Sequence, residues 1–168
     1  ERNAIENWNQ VLALDPQQLD ALWALRDLYE RASDPAQLAR TIEALLGLLD
    51  EQHEQRLELY RQIARLYQEA LEDTPKAIDA WRNVLAWAST DAEAIDNLEE
   101  LFTGSEDWAS CVTILEIKAS QTEDNYDRVS ILFRVAEMYA ENLNDTIGSR
   151  GAYESILSVQ PDNIDAYE

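Results

Sequence analysis

The stretch Ala77-Ile78-Asp79-Ala80-Trp81-Arg82-Asn83-Val84-Leu85 has a close copy upstream, Ala4-Ile5-Glu6-Asn7-Trp8-Asn9-Gln10-Val11-Leu12. A shorter copy downstream, Ala152-Tyr153-Glu154-Ser155-Ile156-Leu157, aligns with the segment that starts at Ala80. The spacing between successive copies is nearly constant. This recurrence constrains the fold more than any single residue does. A fixed period builds stacked supersecondary units in place of one globular core.

Within each copy the apolar residues fall three and four apart, which is helical spacing. Only four Gly and four Pro occur in 168 residues, so long helices with short connections are expected. Helices are expected over about 2–14 and 18–31, ended by Asp15-Pro16 and by Ser33-Asp34-Pro35. A third carries Leu38, Ile42, Leu45 and Leu49, and a fourth runs from about Gln52 to Leu71. Asp73-Thr74-Pro75 opens the fifth, Gly104 breaks the sixth, and Ser105-Glu106-Asp107 opens the seventh. A long helix over about 124–143 and one begun by Asn144-Asp145-Thr146 complete the series. The pattern divides into hairpins at about 17–50, 51–89, 90–123 and 124–161, with half-units at 1–16 and 162–168. The expectation is an all-α protein, a right-handed α-solenoid of stacked antiparallel helical hairpins. In that register Trp8 and Trp81 are packing residues, and Trp108 wedges between adjacent hairpins.

The chain reads as a fragment of a longer one, beginning and ending inside a repeat. Its uncapped ends predict fraying or end-to-end self-association. No apolar run is long enough to span a membrane, and one cysteine, Cys111, makes no internal disulfide. Without a targeting segment, these features point to the cytoplasm.

The formal charge is −21, with 34 acidic and 13 basic residues. Nucleic acid and anionic membranes are excluded as partners, because both need a basic stripe. What remains is either a solubilising surface or a preference for a basic protein partner.

No residue pattern calls for catalysis, a cofactor or a metal. His53 is the one histidine, and His-Glu-x-x-Arg lacks the second histidine of a zinc helix. It is expected to face solvent near a helix start. Cys111 falls on an apolar helix face and is expected to be buried. Glu123-Asp124-Asn125-Tyr126-Asp127 lacks the glycine and distal glutamate of a calcium loop, and reads as an acidic helix N-terminus.

The pattern Ala4, Trp8, Val11 and Pro16, followed by Leu22, Leu25 and Tyr29, resembles a tetratricopeptide (TPR) repeat. Ala64 with Tyr67 and Ala136 with Tyr139 fit the first helix of that repeat. Arg26 and Glu99 depart from it, standing where the family has a small residue. The two-repeat period, with Asp107-Trp108 ahead of Cys111-Val112, is similar to large bacterial, myxobacterial-type multi-repeat TPR proteins.

The resemblance implies that first helices line a concave side and leave one row of residues free of packing. Transferred here, that row is Asp20, Trp23, Asp27 and Glu30, then Glu58, Arg61 and Arg65. It continues through Glu93, Asp96 and Glu100 to Ser130, Phe133, Glu137 and Glu141. Trp23 and Phe133 have Asp96 and Arg61 as their counterparts one period away, so the fold does not require an aromatic there. The implied function is a non-enzymatic scaffold that holds a partner's basic segment in an acidic groove. The alternatives are a structural spacer or oligomerisation array, and a regulatory domain of a multidomain enzyme whose catalysis lies elsewhere.

Overall fold

The computed structural model describes residues 2–167; Glu1 and Glu168, the outermost positions of the two half-units, lie outside the described residues. Within these limits the chain is all-helical, without strands, and the helices pack as consecutive pairs of an α-solenoid. The helices are α1 (Arg2–Leu14), α2 (Leu19–Arg31), α3 (Pro35–Leu48), α4 (Arg56–Arg65) and α5 (Thr74–Trp87). They continue as α6 (Ala92–Gly104), α7 (Trp108–Gln121), α8 (Asn125–Glu137) and α9 (Thr146–Val159). Two compact units divide them, Glu1–Ala88 with α1 to α5 and Ser89–Glu168 with α6 to α9.

One local device repeats at the turns inside the hairpins. Ser33, Glu72, Glu106 and Asn144 take φ between 51° and 56°, the left-handed conformation that reverses a chain at a helix C-terminus. The next residue is always aspartate, and its carboxylate accepts from an amide of the following helix: Asp34 from Gln37, Asp73 from Lys76, Asp107 from Ser110, Asp145 from Gly148. The amide of that aspartate donates back to the carbonyl of an aromatic residue: Tyr29, Tyr67, Phe102 or Tyr139. Where α2 and α6 end, the aromatic is five positions earlier. Beyond α4 and α8 it is six, and the extra residue is taken up by π-helical turns at Leu66–Ala70 and Met138–Asn142. Asp91 and Asp124 cap α6 and α8 in the same way. Each of these aspartates adds a carboxylate at the positive end of a helix.

In the first unit Trp81 is fully buried, and its indole N–H donates to the Gln68 amide oxygen at 2.7 Å. Leu25, Ile42, Leu45 and Val84 are buried in that unit as well. In the second unit Leu98, Phe102, Cys111, Val112, Leu115, Val135 and Ile156 are buried.

Several expectations need correction. Trp8 is only half-buried, and α1 has no buried residue: it packs on α2, whereas α5 meets both α4 and its π turn. The fourth helix starts at Arg56 and not near Gln52. Gln52 stands where the second unit has the capping Asp124, and no side chain caps α4. Gly104 is the last residue of α6, and the reversal falls on Glu106. Residues 164–166, in the last half-unit, form a single 3-10 turn. His53 is half-buried in a turn, where its ring Nδ1 accepts from the Gln55 amide at 3.3 Å.

Candidate functional site

The first helices of the hairpins, α2 and α4 in one unit and α6 and α8 in the other, carry the row singled out from the sequence. Each unit joins its two first helices through polar side chains.

In the first unit Arg26 is the node. Its Nε donates to Gln62 Oε1 at 3.0 Å, and its Nη1 donates to Asp27 at 3.1 Å. Gln62 in turn donates to Glu30 at 2.9 Å. The guanidinium carbon of Arg26 lies 6.0 Å from the centre of the half-buried Trp23 ring, so part of that ring is covered by a cation of its own helix. Glu58 and Arg61 form an ion pair at 3.5 Å. Arg65 and Glu30 line a cleft of about 490 Å³ with Tyr29, Leu38 and Leu66. Asp20 is exposed.

In the second unit the node is Glu99, whose side chain is 15% exposed. It accepts from Lys118 at 2.7 Å and from Arg134 at 2.6 Å, and Lys118 also pairs with Asp96 at 2.8 Å. Burial pushes the Glu99 carboxyl up, but the two cations outweigh it and hold the group below its ordinary value. Burial likewise lowers Lys118, and the hydrogen bonds to Asp96 and Glu99 override this and raise it. Around this cluster is an open cleft of about 690 Å³, lined also by Glu100, Thr103 and Gly104. Glu100, Glu137 and Glu141 are exposed, and among the described residues they have no ion pair or hydrogen bond. Glu93 is half-buried and Ser130 exposed. Phe133 packs edge-on against Tyr153, with ring centres 6.1 Å apart, on the core that contains Leu132 and Ile156.

Sequence reasoning placed Asp27, Glu30 and Asp96 on the right helices but missed what engages them. Arg26, Gln62, Glu99, Lys118 and Arg134 were outside the row. A signal was present: Arg26 and Glu99 occupy equivalent places in the repeat, as do Gln62 and Arg134. The first pair stands where a small residue is the TPR habit, and a polar exception that recurs needs a polar partner.

Among the described residues no three of His, Cys, Asp and Glu converge as a metal site, and no helix is long and apolar enough to cross a membrane. Cys111 is buried, with Sγ 3.4 Å from Thr103 Oγ1. Asp124 accepts from the amides of Tyr126 and Asp127, which accounts for the acidic run as a helix start.

No family model and no curated protein matches the sequence. The backbone is similar to that of YrrB, a TPR protein with an unusual peptide-binding site, at a TM-score of 0.54 and 14% identity over 99% of this chain and 81% of that one. The fold is TPR-like. MamA matches at a TM-score of 0.52 and 16% identity, over 96% of this chain and 89% of its own. A kinesin light chain-like protein of Podospora anserina with nearly identical TPR-like repeats matches at 0.50 and 17% identity, over 97% and 88%. At these identities the likeness is one of fold, and the TPR-like architecture by itself names no ligand.

Proposed function

We propose that this TPR-like chain is a protein-interaction scaffold that takes a basic segment of a partner against its first helices, chiefly in the second unit. The observation that carries this is the contrast between engaged and unengaged carboxylates. In the first unit Asp27, Glu30 and Glu58 already have partners in the chain, and of the row's acids there only Asp20 has none among the described residues. In the second unit Glu100, Glu137 and Glu141 have none among the described residues, while Lys118 and Arg134 are both held by Glu99. A cationic peptide there meets these three carboxylates without displacing an existing pair, whereas Asp96 is already held by Lys118. Charge of this kind steers and orients, and is screened within about 8–10 Å at ordinary salt. Residence must come from apolar contact, for which Phe133 retains part of its surface, as Trp23 does in the first unit. A peptide-binding TPR protein among the structural neighbours supports a peptide as the class of ligand.

The test is binding of an Arg/Lys-rich peptide at rising salt. Charge reversal by Glu100→Lys with Glu137→Lys is expected to weaken binding about tenfold at low salt, and Asp27→Lys with Glu58→Lys to do so only about twofold. Equal losses would remove the preference for the second unit. No binding at low salt would leave the spacer and regulatory-domain readings.

A further inference from the structure

A cleft of about 410 Å³ opens between α7 and α9 of the second unit, with α8 as its floor. It involves the second helices and is separate from the acidic row. Its counterpart in the first unit has bulkier side chains at several of the same positions, although Gly47 stands where the cleft has Ser120. Tyr60 stands where the cleft has Leu132, Lys76 where it has Gly148, and Asp79 where it has Gly151. Lys76 Nζ lies 4.8 Å from the Tyr67 ring centre, whereas Gly148 has no side chain to set over the equivalent Tyr139.

One large residue is retained. Arg56 and Arg128 occupy equivalent positions, and in both the Nε is buried without an acceptor. The terminal nitrogens differ. Those of Arg56 donate to the carbonyls of Leu46 and Leu49 at 2.7 Å and to the Tyr60 hydroxyl at 2.9 Å. The Arg128 side chain lines the cleft with no hydrogen bond or ion pair among the described residues. The other cations of the second unit are paired: Lys118 and Arg134 with Glu99, Arg150 with Glu154 at 2.8 Å. The buried Nε of Arg128 is thus a donor that a carboxylate entering the small-residue cleft would satisfy, in a unit whose other carboxylates leave it unpaired. Glu116, which also lines the cleft, accepts from the Tyr139 hydroxyl at 3.2 Å and is already engaged.

We propose that this cleft docks an acidic peptide segment of a partner protein, with a carboxylate on Arg128 and an apolar neighbour over Leu132 and Val135. A carboxylate offers the paired acceptors that a planar guanidinium takes two at a time. The cleft is of a size that small recognition elements fill, and Ser120 and Ser155 on its walls, whose hydroxyls donate to the Ile117 and Gly151 carbonyls, keep their oxygens as acceptors for a peptide N–H.

The experiment uses the whole chain and the blocked pentapeptide Ala-Leu-Glu-Leu-Ala, with its glutamine twin, followed by amide NMR shifts. The glutamate peptide is expected to bind at least about tenfold more tightly than its twin, with shifts concentrated at Ser120, Arg128 and Ser155. Gly151→Phe is expected to abolish binding without unfolding the chain, since a Cβ at Gly151 meets nothing within 4 Å. Leu132→Tyr restores the hydroxyl that Arg56 has in the first unit and is expected to weaken binding. Glu100→Lys with Glu137→Lys is expected to leave it intact, which separates this cleft from the basic-segment reading. Equal binding of the two peptides, indifference to Gly151→Phe, or binding of free hexanoate with exclusion of the peptide would each overturn the proposal.

Discussion

The two units place the same bond between their first helices and reverse its polarity. In the first, Arg26 is on α2 and donates to a neutral Gln62 on α4. In the second, Glu99 is on α6 and accepts from Arg134 on α8, with Lys118 as a second donor. A bridge at that position is therefore a requirement of packing, and its charge is free to vary. The same holds on the second helices, where Tyr67 and Tyr139 both donate to a glutamate, Glu43 or Glu116. Above Tyr67 sits a lysine; beside Tyr139 sits a glycine. The first unit fills its positions and the second empties them, while the second also holds more acidic and fewer basic residues.

The largest expected effect tests the fillings. Trp81→Ala should cost about 3–5 kcal/mol, since the ring is fully buried and its N–H is bonded. Tyr153→Ala, at the equivalent and half-buried position, should cost about half as much. Equal losses in urea unfolding would break the contrast between the two sites. His53→Ala, in a turn, should stay within about 0.5 kcal/mol.

Next comes the glycine. A Cβ at Gly148 would stand 2.5 Å from the Tyr139 ring, so Gly148→Lys must push that ring aside, at about 1–3 kcal/mol. Lys76→Gly, the opposite exchange, should cost about 1 kcal/mol, mostly helix propensity. Thermal melts of the pair would show whether the two tyrosines have different surroundings.

Third is the bridge. Glu99 has its carboxyl held below the ordinary value, so its contribution is complete above the unfolded carboxylate pKa and is lost as pH falls through the folded one. Glu99→Gln should therefore destabilise by about 1–2 kcal/mol near neutrality and by progressively less as the pH falls below the ordinary carboxylate range. Gln62→Leu in the first unit removes a neutral partner, and its deficit should change little over the same range. Parallel pH dependence in the two variants would sink the distinction.

The smallest effect lies in the backbone. Glu72→Gly should stabilise by about 0.5 kcal/mol, because glycine adopts the left-handed conformation without a Cβ clash. Asn144→Gly should be close to neutral, as asparagine already tolerates it. Denaturant midpoints would resolve the order.

The features legible in the sequence were those fixed by near neighbours. Apolar spacing revealed the helices, and Asp34, Asp73, Asp107 and Asp145 announced their starts, because a cap and its amides lie within one turn of each other. Trp8 was misread because burial depends on what lies outside a helix. Its motif in α1 packs on α2, whereas the copy around Trp81 also meets the π turn after α4. The site was less legible. Asp96 looked like a free groove carboxylate, yet Lys118 on the next helix claims it. Such pairings are set by how helices lie against one another, and the spacing of residues along one helix carries no record of them.

The π turns at Leu66–Ala70 and Met138–Asn142 make unequal hairpins interchangeable at their junctions. An additional residue in either helix is absorbed as a wider backbone loop, and the aromatic carbonyl still meets the aspartate amide at 2.8 Å or 2.7 Å. Insertion and deletion, ordinarily confined to surface connections, are thereby tolerated inside a helix. The repeat keeps its measure in space and not in residues: the aromatic stands five or six positions before the aspartate, and the hairpin closure is the same.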